Sequence, residues 1–364
     1  MTASILALAT AVPSHAFDQT EIAEKIIDMF TLKPHKAESI KQLYKNSAIH
    51  TRYSVLSDFK KERPEWNFWG SDYPKTIPTT SQRNDMYKIE ASKLAYEAAG
   101  KVLKAWGGKT ADISHVISVS CTGMVAPGIE FDLMQLLHLK SSTQRLGINF
   151  MGCFGAFKGL SVAQAFAKEN PKHRILLVCT ELCSLHFQAE QTADNIVANS
   201  LFSDGAAAVI VGADPQGDEI SLWEMRTKGS IALEHTLDKM HWEVGNQGFK
   251  MKLCHTIPVL LGRHIVPFVH SLVSPDFSYE HCDWAIHPGG KSIIQAIEKA
   301  LKLQEGLTNA SWETLADYGN MSSATFLFVL NRLLEQKSSR KWTIGIGFGP
   351  GLSVEGLLLS RCQV

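Results

Sequence analysis

The chain has 364 residues, 45% of them hydrophobic, enough for a large core and for two domains as readily as one. Lys+Arg and Asp+Glu each number 36, so no global field points to nucleic acid or an anionic membrane, and an anionic ligand must be held by a local patch. The seven cysteines (Cys121, Cys153, Cys179, Cys183, Cys254, Cys282 and Cys362) are odd in number and form no CxxC, and the 14 histidines form no HExxH. This argues against a disulfide framework, a metal site or a bound cofactor and fits a reducing, cytoplasmic setting.

Ala3–Val12 is apolar and followed by Pro13 and Ala16, but no Lys or Arg precedes it, so it reads as a buried strand rather than a leader. No apolar run nears the roughly 18–20 residues of a membrane span. Asp18-Gln19-Thr20-Glu21 reads as a capping box opening a helix with Ile22, Ile26, Ile27 and Phe30 on one face. Residues 33–52 form a second, basic helix and its exit, with Pro34 in the first turn. Its Lys36, Lys41 and Lys45 are either a phosphate-binding rim or a solvated face. Residues 60–85, rich in Trp, Phe, Tyr and Pro, form a long loop packed by its own aromatics. Met86–Trp106 is a helix closed by Gly107 and Gly108, His115–Ser120 a strand, and Glu130–His138 a short helix.

The alternating run Leu146–Phe150 leads into Met151-Gly152-Cys153-Phe154-Gly155, and helical spacing follows at Leu160, Ala163, Phe166 and Ala167. A thiol at a helix N-terminus is favoured as thiolate by the dipole and unpaired N–H groups; the alternative is a buried structural cysteine. Further strands at Ile175–Cys179 and Ala206–Val211, separated by the excursion Glu181–Leu201, indicate an α/β architecture.

The second half repeats the first. Sliding it back by 167 residues (320 − 153) places Asn320 on Cys153, Gly319 on Gly152, His287 on Ser120 and the strand Ile344–Gly347 on Leu177–Thr180. Asp204-Gly205 and Glu355-Gly356 pair at 151 (355 − 204), so the first copy carries a longer excursion. Two copies of one βαβ-rich unit imply halves at 1–215, with the cysteine, and 216–364, with the histidine and asparagine. In duplicated open sheets, sites form at strand carboxyl ends where the halves meet, so Cys153, His287 and Asn320 can converge.

A converging Cys, His and Asn supports three readings. Papain-type hydrolysis has the same residue order, but that family's local cysteine signature is missing. Decarboxylative Claisen condensation uses the thiolate to accept an acyl group, with His and Asn donating to a developing enolate oxygen, and needs neither metal nor redox cofactor. A binding protein that kept the fold would be marked by loss of one of the three, and all three are present.

Five motifs carry a resemblance over essentially the whole chain: Gly152-Cys153-Phe154-Gly155; Leu201-Phe202-x-Asp204-Gly205-Ala206-Ala207-Ala208; Trp284-x-x-His287-Pro288-Gly289-Gly290; Tyr318-Gly319-Asn320-Met321-Ser322-Ser323-Ala324; and Gly347-Phe348-Gly349-Pro350-Gly351-Leu352-x-Val354-Glu355. Together they resemble the type III polyketide synthases, the chalcone-synthase-like family. The ketoacyl synthase III enzymes, which condense once, share the Cys-His-Asn logic but usually lack the His-Pro-Gly-Gly and Gly-Phe-Gly-Pro-Gly forms.

The resemblance implies a homodimer of the thiolase-like, duplicated five-layer αβαβα fold. It implies Cys153 as nucleophile, His287 and Asn320 as decarboxylation and oxyanion residues, and Phe202 as a gatekeeper between a CoA tunnel and the cavity. Ser322, Glu181 and the loop Gly347, Phe348, Gly349, Pro350, Gly351 match cavity and cyclisation positions. Substrates would be malonyl-CoA extenders and a starter carried on CoA or on an acyl carrier protein.

Departures from the plant members fall at Met251 (a second gatekeeper Phe there), Cys121 and Cys183 (cavity threonines), His186 (near a third) and Ala126 (a methionine near the dimer interface). The basic trio is out of register on the helix bearing Lys36, Lys41 and Lys45. A softer, more open lining points to an aliphatic starter. Glu181-Leu182-Cys183-Ser184-Leu185 resembles bacterial alkylresorcinol and alkylpyrone synthases, implying a medium- or long-chain fatty acyl starter extended and closed to a resorcinol or pyrone.

Overall fold

The computed structural model describes residues 2–273, 277–279, 282–336 and 338–362. The buried strand β1 (Ala3–Ala11) is followed by β2 (His15–Asp18), α1 (Gln19–Met29), α2 (Pro34–Lys45) and β3 (Thr51–Ser54), with β2 and β3 paired antiparallel. Asp18 caps α1 by accepting from the N–H groups of Thr20 and Glu21; the bonds at this end run one way, where a capping box needs a return bond from Glu21. The full capping box lies at Thr79 and Gln82 and opens α3 (Thr80–Trp106). That helix starts six residues (86 − 80) before the apolar periodicity does, because its first turns bury Arg83 and Tyr87, whose polar tips hide them from a hydrophobic pattern.

The first half continues with β4 (Ile113–Ser120), α4 (Ile129–Leu136), β5 (Gln144–Asn149), α5 (Gly155–Glu169), β6 (Arg174–Leu182), α6 (Ala193–Leu201) and β7 (Asp204–Ala213). The second holds β8 (Trp223–Ala232), the hairpin β9 (Met240–Gly245) and β10 (Gly248–Leu253), α7 (Ile257–Leu272), β11 (Cys282–Ile286), α8 (Lys291–Leu301), α9 (Asn309–Tyr318), α10 (Thr325–Glu335), β12 (Trp342–Gly349) and β13 (Ser353–Arg361).

The main sheet runs β11-β12-β13-β8-β1-β7-β6-β4-β5. Its seam is thin: β1 and β8 share only Ser4↔Glu224 and Ile5↔Trp223. Outward from the seam, β1-β7-β6-β4 and β8-β13-β12-β11 both pair antiparallel, antiparallel, then parallel. The duplication expected from the sequence is therefore a repeat of topology, with β5 as an additional edge strand. α3 covers one outer face, α7 and α8 the other, and α5 and α10 lie between the two half-sheets, each layer joined by its own apolar cluster. This is the thiolase-like five-layer αβαβα fold.

The Gly-Ile alternation of β12 follows from that middle layer. Ile344, Ile346 and Phe348 face the α7/α8 core, while Gly345 and Gly347 face inward. A Cβ on Gly345 would lie 2.7 Å from the Phe326 ring of α10, and one on Gly347 2.3 Å from the Phe157 ring of α5. Those two rings pack on each other with centroids 4.1 Å apart. The glycines are thus what lets both central helices settle onto one strand.

One register differs from the expected repeat. The helical turns begin at Gly152 and Ser322, 170 residues apart (322 − 152), although the strands repeat close to 167. The second turn is three residues longer, so Asn320 sits before the helix start rather than on it. It is fixed instead by a parallel bridge to Phe202, in which Asn320 N–H donates to Leu201 O and Ser203 N–H to Asn320 O, each at 2.9 Å.

Gly347→Ala should lower the urea midpoint of unfolding by an amount equivalent to about 1–3 kcal/mol, because the new methyl must displace Phe157 in a close-packed layer. An unchanged midpoint would show that the central helices do not depend on this close approach.

Candidate active site

Three chain segments deliver polar groups to one cavity of about 510 Å³. Cys153 follows β5 through a turn in which Phe150 (φ 58°) and Gly152 (φ 69°) are left-handed; a Cβ on Gly152 would also strike Pro350. His287 leaves the end of β11, its backbone N–H donating to Ile346 O at 2.8 Å. Asn320 follows Gly319 (φ 70°), and its amide is oriented by Oδ1 accepting from Ser322 N–H (2.9 Å) while Nδ2 donates to Gly289 O (3.3 Å). The cavity is completed by apolar groups including Phe202, Met251 and Phe348.

The electrostatics are those of a dry site. Burial pushes the Cys153 thiol up to about 11, with Ser322 and Asn320 pulling it down and Glu181 raising it. The thiolate expected from the helix N-terminus is therefore not favoured alone, since desolvation outweighs the dipole. Burial likewise pushes His287 down to about 3, so its imidazole is neutral, and neither ring nitrogen has a hydrogen-bond partner among the described residues. A charge on either group alone is disfavoured; a proton moving from thiol to imidazole creates two opposite charges that offset one another.

Phe202 and Met251 also line a second, smaller cavity, together with Cys183 and His186. His186 is neutral, pushed down to about 3 by burial, and is held by its ring Nε2–H donating to Thr122 O (2.8 Å) and Nδ1 accepting from Phe249 N–H (3.0 Å). It stacks on Phe249 at 4.2 Å and 9°. Met251 pairs across the β9/β10 hairpin with Trp242, whose indole N–H donates to Cys121 O at 2.7 Å. Sequence reasoning missed Trp242 and Phe249; the period-2 pattern around Met251 was the signal that could have found them.

Glu181 and Cys121 do not face either cavity. The Glu181 carboxylate is fully buried and accepts from Cys121 N–H (3.0 Å), Thr122 Oγ (2.7 Å), Ser120 Oγ (3.3 Å) and Ser323 Oγ. Burial raises its pKa, against the lowering effect of hydrogen bonds from Ser323, Thr122 and the N–H and thiol of Cys121. Cys121 Sγ lies 3.3 Å from Glu181 Oε1 and 3.2 Å from Ser322 Oγ, so Ser322 links this cluster to Cys153. Ala126 is exposed and lies apart from both cavities. Of the loop Gly347, Phe348, Gly349, Pro350, Gly351, only Phe348 lines the main cavity; Gly349 would meet the Phe154 ring at 2.5 Å if it carried a Cβ, and Gly351 adopts φ 115°.

At the mouth, α2 contributes Leu43 and the turn after it Asn46 and Ser47, and Lys291 and His255 contribute basic groups that sequence reasoning missed. Lys36 is two turns from Leu43 on the same face of α2. Lys41 and Lys45 lie on the opposite side, and Lys41 is paired to Glu24 of α1 at 2.8 Å, so these two are turned away from the opening.

A buried thiol, a neutral imidazole and an oriented carboxamide facing an apolar cavity have the composition of an acyl-transfer centre on a thiolase-like scaffold. The chain belongs to the chalcone and stilbene synthase family, matching its N-terminal domain over residues 1–215 and its C-terminal domain over 230–363, and is a type III polyketide synthase. It is 32% identical to "Type III polyketide synthase C" of Arabidopsis thaliana over 98% of this chain and 94% of that protein. It is 34% identical to "Probable polyketide synthase 1" of Dictyostelium discoideum over 98% of this chain, which spans only 11% of that relative's length. The crystal structure of the C-terminal type III polyketide synthase domain of 'Steely1', a type I/III hybrid from Dictyostelium, superposes with a TM-score of 0.93 at 34% identity, covering 99% of both chains. Among the described residues no helix is long and apolar enough to cross a membrane.

With His287→Gln, no imidazole can take the thiol proton, and iodoacetamide alkylation of Cys153 should rise about tenfold per pH unit from 7 to 9 without levelling, as a thiol of pKa near 11 requires. The wild-type rate should level at lower pH. Superimposable profiles would show that His287 does not accept this proton.

Proposed function

We propose that Cys153 accepts a medium- or long-chain fatty acyl group from a CoA or carrier-protein thioester, that malonyl-CoA extends it iteratively, and that the product is cyclised to an alkylresorcinol or alkylpyrone. The observation that carries this reading is the pairing of a buried Cys-His-Asn centre with an apolar cavity whose wall contains Met251. A methionine bends where a ring cannot, and a flexible aliphatic chain gains about 0.8 kcal/mol per buried CH₂.

In the loading step the thiol proton passes to His287, the Cys153 sulfur attacks the starter carbonyl, and the carrier thiolate leaves with a proton. In extension, the bond between the malonyl carboxylate and C2 breaks. CO₂ departs and the electron pair forms an enolate whose oxygen accepts from the His287 ring N–H and the Asn320 Nδ2–H not committed to Gly289. A neutral imidazole is the form that can do this without carrying charge of its own. The enolate carbon attacks the Cys153 thioester, the tetrahedral adduct collapses, and the free thiolate is regenerated. The family match argues against a single-condensation ketoacyl synthase. Lys291, which lines the main cavity, and Lys36, two turns along α2 from Leu43, would meet the phosphates of a CoA on this reading. A homodimer is the assembly this reading carries.

Incubation with acyl-CoAs of graded length and labelled malonyl-CoA should yield products heavier than the starter by several two-carbon units, with Cys153→Ala inactive and Asn320→Ala slower by about 10²–10³-fold. A product bearing one added unit, or none from aliphatic starters, would overturn the reading. Cys153→Gln should still release CO₂ from malonyl-CoA, since the donors to the enolate remain.

A further inference from the structure

We propose that Arg83, at the buried amino end of α3, holds a small monovalent anion of chloride size, with the Tyr73 hydroxyl as its second donor. The site lies apart from the Cys153 cavity and does not rest on the fatty acyl reading.

The first observation is a charge without a counter-charge. Among the described residues the buried arginines are Arg52, Arg83 and Arg174. Arg174 is bidentate to Glu219, Nε to Oε1 at 2.7 Å and Nη2 to Oε2 at 2.5 Å. Arg52 has the carboxylate of Asp204 acting to favour its charged form. Arg83 has neither arrangement, although it is 0% exposed. Its Nε donates to Pro78 O (3.0 Å), and Nη1 to Leu185 O (2.6 Å) and Phe187 O (2.9 Å). Its Cζ stands 5.1 Å from the centroid of the Trp69 ring. Burial pushes the guanidinium down to about 10, so it is a cation at neutral pH, and the group that opposes this is Tyr73 rather than a carboxylate. Carbonyls and a ring face satisfy donors and weaken the field. They do not supply the negative charge whose absence makes a buried ion costly.

The second observation is a pair of donors without partners. Arg83 Nη2 and the Tyr73 hydroxyl are both buried, and neither has a hydrogen-bond partner among the described residues. Both side chains pack on Trp69, the Tyr73 ring with centroids 5.1 Å apart, and Arg83 is the charge that acts on Tyr73. A buried donor without a protein partner is one that a bound water or ion satisfies. Two of them beside an uncompensated cation select the ion.

The third is the sign of the surrounding field. The first turn of α3 carries no acidic residue, and its capping box of Thr79 and Gln82 is neutral, so the positive end of this 27-residue helix adds to the guanidinium. Arg63 brings a second guanidinium to the same tyrosine, donating to Tyr73 O. Asp58, a buried carboxylate of this segment, is turned to the N–H groups of Phe68 (2.9 Å) and Trp69 (2.8 Å). Arg83 and Tyr73 are both closed to solvent, which selects an ion that sheds its water at low cost, a halide rather than a phosphate. Bound there, it ties the aromatic segment at Trp69 and Tyr73 to α3 and to the turn holding Leu185 and Phe187.

An anion that binds only the folded chain stabilises it by mass action. With sodium chloride replacing sodium gluconate at constant ionic strength, the unfolding equilibrium constant should fall about tenfold for each tenfold rise in chloride beyond saturation. Tyr73→Phe should raise the chloride concentration at which this dependence sets in by about tenfold, through loss of one hydrogen bond to a charged group. Arg83→Met should abolish the dependence. Crystals grown in sodium bromide should show an anomalous peak bonded to Arg83 Nη2. Where Arg83→Met does not fold, the Tyr73→Phe shift and the bromide peak decide. Equal stability in chloride and gluconate, a chloride dependence unchanged in either variant, or a water in place of bromide at Nη2 overturns the site.

Discussion

Everything in this molecule depends on the close approach of two central helices to one glycine-bearing strand. The Phe157 and Phe326 rings sit on Gly347 and Gly345 of β12, and Phe154 on Gly349, at separations no Cβ would permit. Because α5 begins two residues after Cys153, and α10 five residues after Asn320, this packing sets the two polar turns side by side. The β1–β8 seam, with two residue pairs, could not do so unaided. The middle layer is thus both the main inter-half core and the positioning device of the reaction centre.

The same packing determines the electrostatics. Cys153, His287 and Asn320 are each almost fully buried, and water exclusion holds the thiol protonated and the imidazole neutral. On the proposed mechanism, reactivity resides in proton transfer from thiol to imidazole rather than in a standing thiolate, and the neutral imidazole then serves as a hydrogen-bond donor. Asn320 is doubly constrained, by its own side-chain bonds and by its backbone bridge to Phe202, so the Phe202 ring and the Asn320 amide share one anchor. Arg52, which grips the carbonyls of Asn199 and Phe202, tightens that anchor from behind.

Much of this was legible in the sequence because it is written in backbone requirements. Glycines at 152 and 319 mark the two left-handed turns, the strand-turn-helix order repeats, and His287 ends a strand; these fix which residues meet. The three-residue lengthening of the second turn was not legible, since Gly319-Asn320 aligns with Gly152-Cys153 whichever helix start is used. Arg83 and Tyr87 concealed the start of α3 for a similar reason: burial of a polar-tipped side chain leaves no apolar period. The thiol's true state depends on desolvation, which no local motif reports. Lys41 could not be separated from Lys36 without knowing that α1 brings Glu24 alongside it.

The central claim is that Cys153 carries the acyl chain in this buried centre. It is tested most directly by mixing the enzyme with a stoichiometric fatty acyl-CoA in the absence of malonyl-CoA, digesting, and locating the acyl mass by peptide sequencing. The account predicts one thioester per chain, on Cys153 and on none of Cys121, Cys183 or Cys254, discharged when malonyl-CoA is added. An acyl group found on another cysteine, or one on Cys153 that malonyl-CoA does not discharge, would contradict it.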